Sequence, residues 1–256
     1  MRRTRKSEII NRMKISFSII VSFLFVYFLI FEFIIPFPKV FPKPGEIFEA
    51  FPSLWNDYRF PSRFALTFAA VYFSLIGSYI LIFISKLQII KFHYIFPEML
   101  KLPNILRYFP AFFFMLLFAY WFGGNSIAEF VFGFLYAFVI LAFGLLREIP
   151  NVKKEYLDSA KSLKTPYDSL ITNVIWKYCL PSLSKRAEEL HYGIWVVIMI
   201  YEIFAQENGV GSIYFEALKY KDLSVIVLLG IIISIVILLG KVVIKHIEEK
   251  IVYWEN

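Results

Sequence analysis

Residues 223–244 read LSVIVLLGIIISIVILLGKVVI, with Lys241 as the one charged position. A membrane span needs about 20 mostly apolar residues, because a helix rises about 1.5 Å per residue through about 30 Å of hydrocarbon. The stretch from about Leu223 to Ile244 meets that need and sets the fold class: an all-α, polytopic membrane protein. Five more stretches meet the standard, some of them loosely. They run from about Ile15 to Ile35, Phe64 to Ile84, Ile105 to Phe122, Ile127 to Leu146 and Leu190 to Phe204. A further apolar stretch near Leu87–Leu102 precedes the third. The expectation is about six transmembrane helices in a single transmembrane domain covering residues 1–256.

Composition agrees. Hydrophobic residues make up 59% of the 256 positions and charged residues 18%, and Phe alone occupies 30. Soluble domains carry roughly 45–50% apolar and about 25% charged residues. A core of this size could not hide the excess, which falls in blocks without amphipathic alternation. The net charge of +7 fits basic loops beside a membrane. No folded polar domain is left to present a basic patch, so nucleic acid is not expected as a partner. Cys179 is the only cysteine and forms no metal-ligand pair with His93, His191 or His246. No metal and no cofactor is expected.

The first span follows Arg2, Arg3, Arg5 and Lys6, as a signal peptide would. Its apolar core is longer than the usual 7–15 residues and no small-x-small cleavage site follows, so a retained span is expected. With the N-terminus inside, 21 of the 27 Lys and Arg residues fall on the cytoplasmic side. Lys39, Lys43, Arg59, Arg63, Lys219 and Lys221 remain outside. The asymmetry predicts both termini in the cytoplasm of a multi-pass cell-membrane protein.

Glu32, Glu129 and Glu202 lie near span ends, and no Lys, Arg or His sits at a span centre. A secondary transporter usually keeps such a group near the midplane, which weighs against that alternative. A membrane-embedded enzyme is the other, but no H-E-x-x-H and no nucleophile–base pairing stands out.

The longest connection, residues 147–190, is patterned. Pro150-Asn151 offers a helix start with Asn151 as cap. Val152, Tyr156, Leu157, Ala160 and Leu163 recur at helical spacing, with Lys153, Lys154, Asp158 and Lys161 on much of the rest. Thr165-Pro166-Tyr167-Asp168 predicts a second start through a capping box with proline at the first helical position. That helix is expected to reach about Cys179, where Leu180-Pro181 ends or kinks it. Spacing alone leaves two readings open, an interfacial helix on lipid headgroups or a docking element.

Asp158-Ser159-Ala160-Lys161-Ser162-Leu163, followed by Leu180-Pro181, resembles the E-A-A-x-x-x-G … L-P loop of ABC-importer permeases. Three more segments agree in order. Pro42-Lys43-Pro44-Gly45-Glu46-Ile47 resembles the P-x-P-x-E-[IV] segment of the nitrate/sulfonate/taurine branch. Trp121-Phe122-Gly123 resembles its W-F-G turn. Glu202 with Gly209-Val210-Gly211 resembles its E … G-[LV]-G segment, and the amphipathic tail Lys241–Trp254 matches in character. The resemblance covers about residues 36–254.

The resemblance implies a permease subunit of an ATP-driven importer for a small anion or organic solute. Its loop docks on an ATPase subunit, which binds ATP, and alternating access follows. It further implies a second permease subunit (homo- or heterodimer), an external substrate-binding protein and surrounding membrane lipids as partners. The chain has no G-x-x-x-x-G-K-[ST] loop of its own and is not expected to be an enzyme. The coupling residues implied are Asp158, Ser159, Ala160, Leu163, Lys164, Leu180 and Pro181. Two readings stay open for Glu202, a group on the substrate path or a carboxylate at the outer interface. Gly209 and Gly211 likewise either shape a gate on the path or make a turn.

Two departures stand out. Lys164 occupies the position of the family's glycine, where a left-handed residue would cost a lysine roughly 1–2 kcal/mol. Trp176-Lys177 stands where the first L-P belongs. The loop is therefore expected to dock around Asp158–Leu163 with a turn of its own.

Overall fold

A computed structural model describes residues 22, 25–34, 42–98, 111–122, 125–205 and 208–252. Among them there are helices and no strand. The chain divides into two compact units, Met1–Arg59 with Ala217–Ile232, and Phe60–Glu216 with Ile233–Asn256.

In the first unit, residues 25–34 are helical, with Ile30–Ile34 wound as a π-helix. Helix α1, Pro44–Asn56, starts at Pro44, where the missing N–H costs nothing. The Glu46 carboxylate accepts from the Lys43 N–H at 3.0 Å. Gly45 leaves room for Glu32, whose Oε2 accepts the Gly45 N–H at 3.1 Å. The P-x-P-x-E segment is thus a helix start pinned by a carboxylate from upstream.

The second unit holds α2 (Phe60–Ile95), α3 (Ala111–Phe122), α4 (Ser126–Glu148), α5 (Lys154–Ser162), α6 (Tyr167–Leu170) and α7 (Trp176–Ala205). Helices α8 (Val210–Tyr220) and α9 (Leu223–Ile251) follow, and the division between units falls within each. Three helices, α2, α4 and α7, pack mutually. One face of α2 is lined by Thr67, Ala70, Ser74 and Ser78, all buried. Ser74 and Ser78 donate back to the carbonyls of Ala70 and Ser74, so their hydroxyls need no further partner. Opposite them, a Cβ at Gly133 would overlap Ser74 Oγ, so small residues set the close approach of α2 and α4. Helix α3 adds Met115 to a cluster with Ala128, Phe132 and Tyr201.

Outward faces stay apolar. Phe73, Ile76, Ile80 and Ile84 on α2, and Leu238, Leu239, Val242 and Val243 on α9, are all exposed. Such faces suit lipid. Among the described residues, three helices are long and apolar enough to cross a membrane: Phe60–Ile95, Ile127–Asn151 and Leu223–Ile251.

Differences from expectation have local causes. The first half of the first expected span save Ser22, the start of the third and Gly123 lie outside the described residues. The second span is longer than expected, because α2 runs on to Ile95 and absorbs much of the Leu87–Leu102 stretch. The fifth sits inside the 30-residue α7, whose first half carries Lys177, Lys185, Arg186, Glu188 and Glu189. Helix α8 was not expected. Its signal was present, since Val210, Ile213 and Ala217 are all fully buried at helical spacing.

Candidate functional site

The connection from α4 to α7 begins with a tight turn, Ile149–Asn151. Asn151 does not cap α5. Its Nδ2 donates back to Glu148 Oε2 at 3.2 Å, and Lys153 precedes the helix without a side-chain cap. Glu148 also pairs with Arg186 of α7, Nη2 to Oε1 at 3.1 Å. A Cβ at Gly144 would stand 2.6 Å from Arg186 Cδ, so the arginine stem crosses α4 at that glycine. This clasp closes the whole connection at its base.

Helix α5 keeps the apolar stripe expected of it but buries only part of it. Val152 and Ala160 are buried, whereas Tyr156 is 48% and Leu163 80% exposed. Asp158, Ser159 and Lys164 are exposed too. Ser159, Ala160, Leu163 and Pro181 line one open cleft of about 1010 Å³, together with Tyr178 and Lys177. Leu180 is buried beneath it. Asp158 and Lys164 lie outside its lining.

The turn after α5 is left-handed, with Lys164 itself at φ 52°. The Thr165 N–H reaches the Ala160 carbonyl at 3.1 Å and the Lys164 N–H reaches Lys161 at 2.9 Å. These two bonds are the Schellman pattern, which satisfies the last carbonyls of the helix. The expected turn of its own is therefore absent: hydrogen bonding holds the lysine where a glycine would sit without strain. Lys164→Gly should raise stability by about 1 kcal/mol, read as a higher melting temperature in detergent. An unchanged or lower value would show that the lysine side chain contributes more than its backbone costs.

The second helix departs further. Pro166 precedes α6 without a side-chain cap, so the Thr165 capping box does not form. A π-helical turn, Ile171–Ile175, runs directly into α7, and Pro181 lies inside α7 rather than ending it. A proline removes one helical hydrogen bond. Here the flanking residues Cys179, Leu180, Leu183 and Ser184 are buried, and Tyr79 Oη meets Ser184 Oγ at 3.0 Å. Packing holds the helix through the defect.

A second constellation surrounds Glu202, which is fully buried rather than at an exposed interface. Its Oε2 accepts the Gly211 N–H at 2.6 Å. The Thr67 hydroxyl donates to its Oε1 and accepts the Val210 N–H at 2.8 Å. The first N–H groups of a helix have no partner within it. The first two of α8, at Val210 and Gly211, are satisfied by one side chain from α2 and one from α7. Gly209 and Gly211 make room: a Cβ at Gly209 would overlap the Glu202 carboxyl, and one at Gly211 would overlap the Met199 carbonyl oxygen. Glu129, 2% exposed, hydrogen-bonds to Glu202 from α4. Thr67 was missed because a threonine in an apolar helix carries no local mark of its distant partner. Among the described residues no group of His, Cys, Asp or Glu is arranged to hold a metal.

Residues 102–253, more than half of the chain, match the model of the family described as binding-protein-dependent transport system inner membrane component. The chain belongs to that family. It is a permease subunit of a binding-protein-dependent ABC transporter, an inner-membrane protein. Permeases of this family work with ABC ATPase subunits and substrate-binding proteins. No curated protein and no solved structure matched the permease.

Proposed function

We propose that this permease carries a small anion or organic solute inward, in the manner of the nitrate/sulfonate/taurine branch, with ATP hydrolysed on separate subunits. In this reading one domain crosses the membrane about six times with both termini in the cytoplasm. The α4–α7 connection is then the cytoplasmic coupling loop, and ATPase closure moves it. Asp158, Ser159, Ala160, Leu163 and Lys164 form the contact, with Leu180 and Pro181 beneath it. Two permease subunits enclose the path. Glu202, Gly209 and Gly211 hold α8 in place and act on the path through that helix.

The observation that carries the reading is α5 itself. It is a short, left-handed-capped helix that leaves Ser159 and a large apolar residue, Leu163, open to solvent. An isolated apolar side chain on a rigid helix end is what a complementary groove recognises.

The test is cysteine crosslinking within the complex. Cys179 is fully buried, and burial, aided by the charge of Glu148, pushes its thiol up to about 12. It stays protonated near neutral pH and does not compete for thiol reagents. Ser159→Cys and Leu163→Cys should therefore crosslink to a co-purified ATPase subunit while the unsubstituted chain does not. Folded variants that capture no ATPase would remove the docking assignment.

A further inference from the structure

Helix α2 is longer than a bilayer requires. Its 36 residues extend about 54 Å at about 1.5 Å per residue, against about 30 Å of hydrocarbon. The excess carries Phe83, Lys86 and Lys91 to the coupling loop. There the Phe83 and Trp176 rings meet edge to face, 5.9 Å between centroids. Lys86 Nζ stands 3.8 Å from the Phe83 centroid and 5.4 Å from that of Trp176. Lys91 Nζ binds Asp168 Oδ1 at 2.6 Å. Trp176 is only 4% exposed, and the π-turn before it buries Ile171 and Ile175. Helix α5 and helix α2 both pack against that π-turn.

A continuous series of contacts thus runs from the docking helix through the π-turn to Trp176, and from Trp176 to α2. An ammonium held over two rings is attracted by both faces. It resists sliding and rotation together, which a purely apolar contact allows. We propose that Trp176, Phe83 and Lys86 form the joint that makes α5 and the cytoplasmic end of α2 move as one piece. They are positioning residues, since none contacts solute or nucleotide. The proposal rests on the docking reading above.

The experiment uses the permease with its ATPase subunits in lipid nanodiscs. Nitroxides are attached through Glu155→Cys on α5 and Gln88→Cys on α2, both exposed positions. Pulsed dipolar spectroscopy then compares the nucleotide-free and the ATP–vanadate-trapped complex. The expected result is one distance, unchanged between states, in the otherwise unsubstituted protein. W176A and K86A should shift that distance on trapping and broaden its distribution at least twofold, while W176F and K86R keep the original behaviour. Crosslinking from Ser159→Cys in the same variants reports docking separately. Retained crosslinking with an unchanged distance in W176A and K86A overturns the joint, as does a distance that already changes without either substitution. Failed crosslinking in the parent instead removes the docking reading. Should W176A not fold, K86A decides alone, because Lys86 is only partly buried.

Discussion

Gly211→Ala is expected to abolish folded permease, whereas Glu202→Gln is not. The new methyl group would overlap the Met199 carbonyl oxygen, a backbone atom that cannot swing aside, and would press on the Glu202 side chain. Overpacking alone costs about 1–3 kcal/mol. Shifting α8 outward to relieve it would also break the Gly211 N–H to Glu202 bond and leave buried groups unpaired, at about 1–3 kcal/mol each. The sum is a large part of the 5–15 kcal/mol that typically holds a domain together. Glu202→Ala should cost about 1–3 kcal/mol for the second reason only, since it strands the Gly211 N–H, while the Thr67 hydroxyl keeps the Arg63 carbonyl at 3.3 Å. Glutamine keeps an oxygen for the Gly211 N–H, and its NH2 can donate to Thr67 Oγ while the Thr67 hydroxyl turns to the Arg63 carbonyl at 3.3 Å, so Glu202→Gln should melt close to the parent. Yield and melting temperature of detergent-solubilised protein separate the three. Equal losses for Gln and Ala would mean that the carboxyl group itself is required.

Trp195→Ala should have an effect of similar size by another route. Trp195 is fully buried, stacked on Phe64 at 6.3 Å and edge-on to Phe68 at 6.4 Å. Its Nε1 donates to His191 Nε2 at 3.1 Å, and Tyr72 Oη lies 3.2 Å from the same nitrogen. An indole N–H can only donate, so His191 Nε2 accepts and the imidazole keeps its proton on Nδ1. Truncation opens a cavity worth about 3–5 kcal/mol. Trp195→Phe keeps most of the packing and should lose less. The melting temperatures of both variants in the same detergent check this ordering, and equal losses would shift the weight from packing to the indole N–H.

Long apolar runs made the helices legible, because lipid demands unbroken apolar length whatever lies beyond it. The same uniformity hid where helices end. Nothing in the stretch after Ile84 marks the exposed extension of α2, and Pro181 reads as a stop. Buried neighbours overrule that signal. In the α4–α7 connection, the Ala160 and Leu163 stripe announced α5 itself. The left-handed Lys164 went against residue preference and could be settled only by its two hydrogen bonds. The cap on α8 was least visible, since Thr67 lies far from α8 in the chain and its local bond to the Arg63 carbonyl gives no hint of the link.

Helix α7 runs unbroken from Trp176 to Ala205, about 45 Å at about 1.5 Å per residue. Only the packed Pro181 defect lies between the α4–α7 connection and the residues around Glu202, so a tilt of α7 would act as a lever. Its fulcrum lies where Ser184 and His191 touch Tyr79 and Tyr72 of α2. For a rod of that length, about 5° of tilt displaces one end by about 4 Å relative to the other. With that fulcrum near mid-helix, Glu202 takes about 2 Å of this, enough to stretch its 2.6 Å bond from Gly211 past the limit of about 3.2 Å. Any such swing relative to α2 must therefore either carry α8 along, strapped to Glu202 and torn from Thr67, or break the Gly211 bond to Glu202.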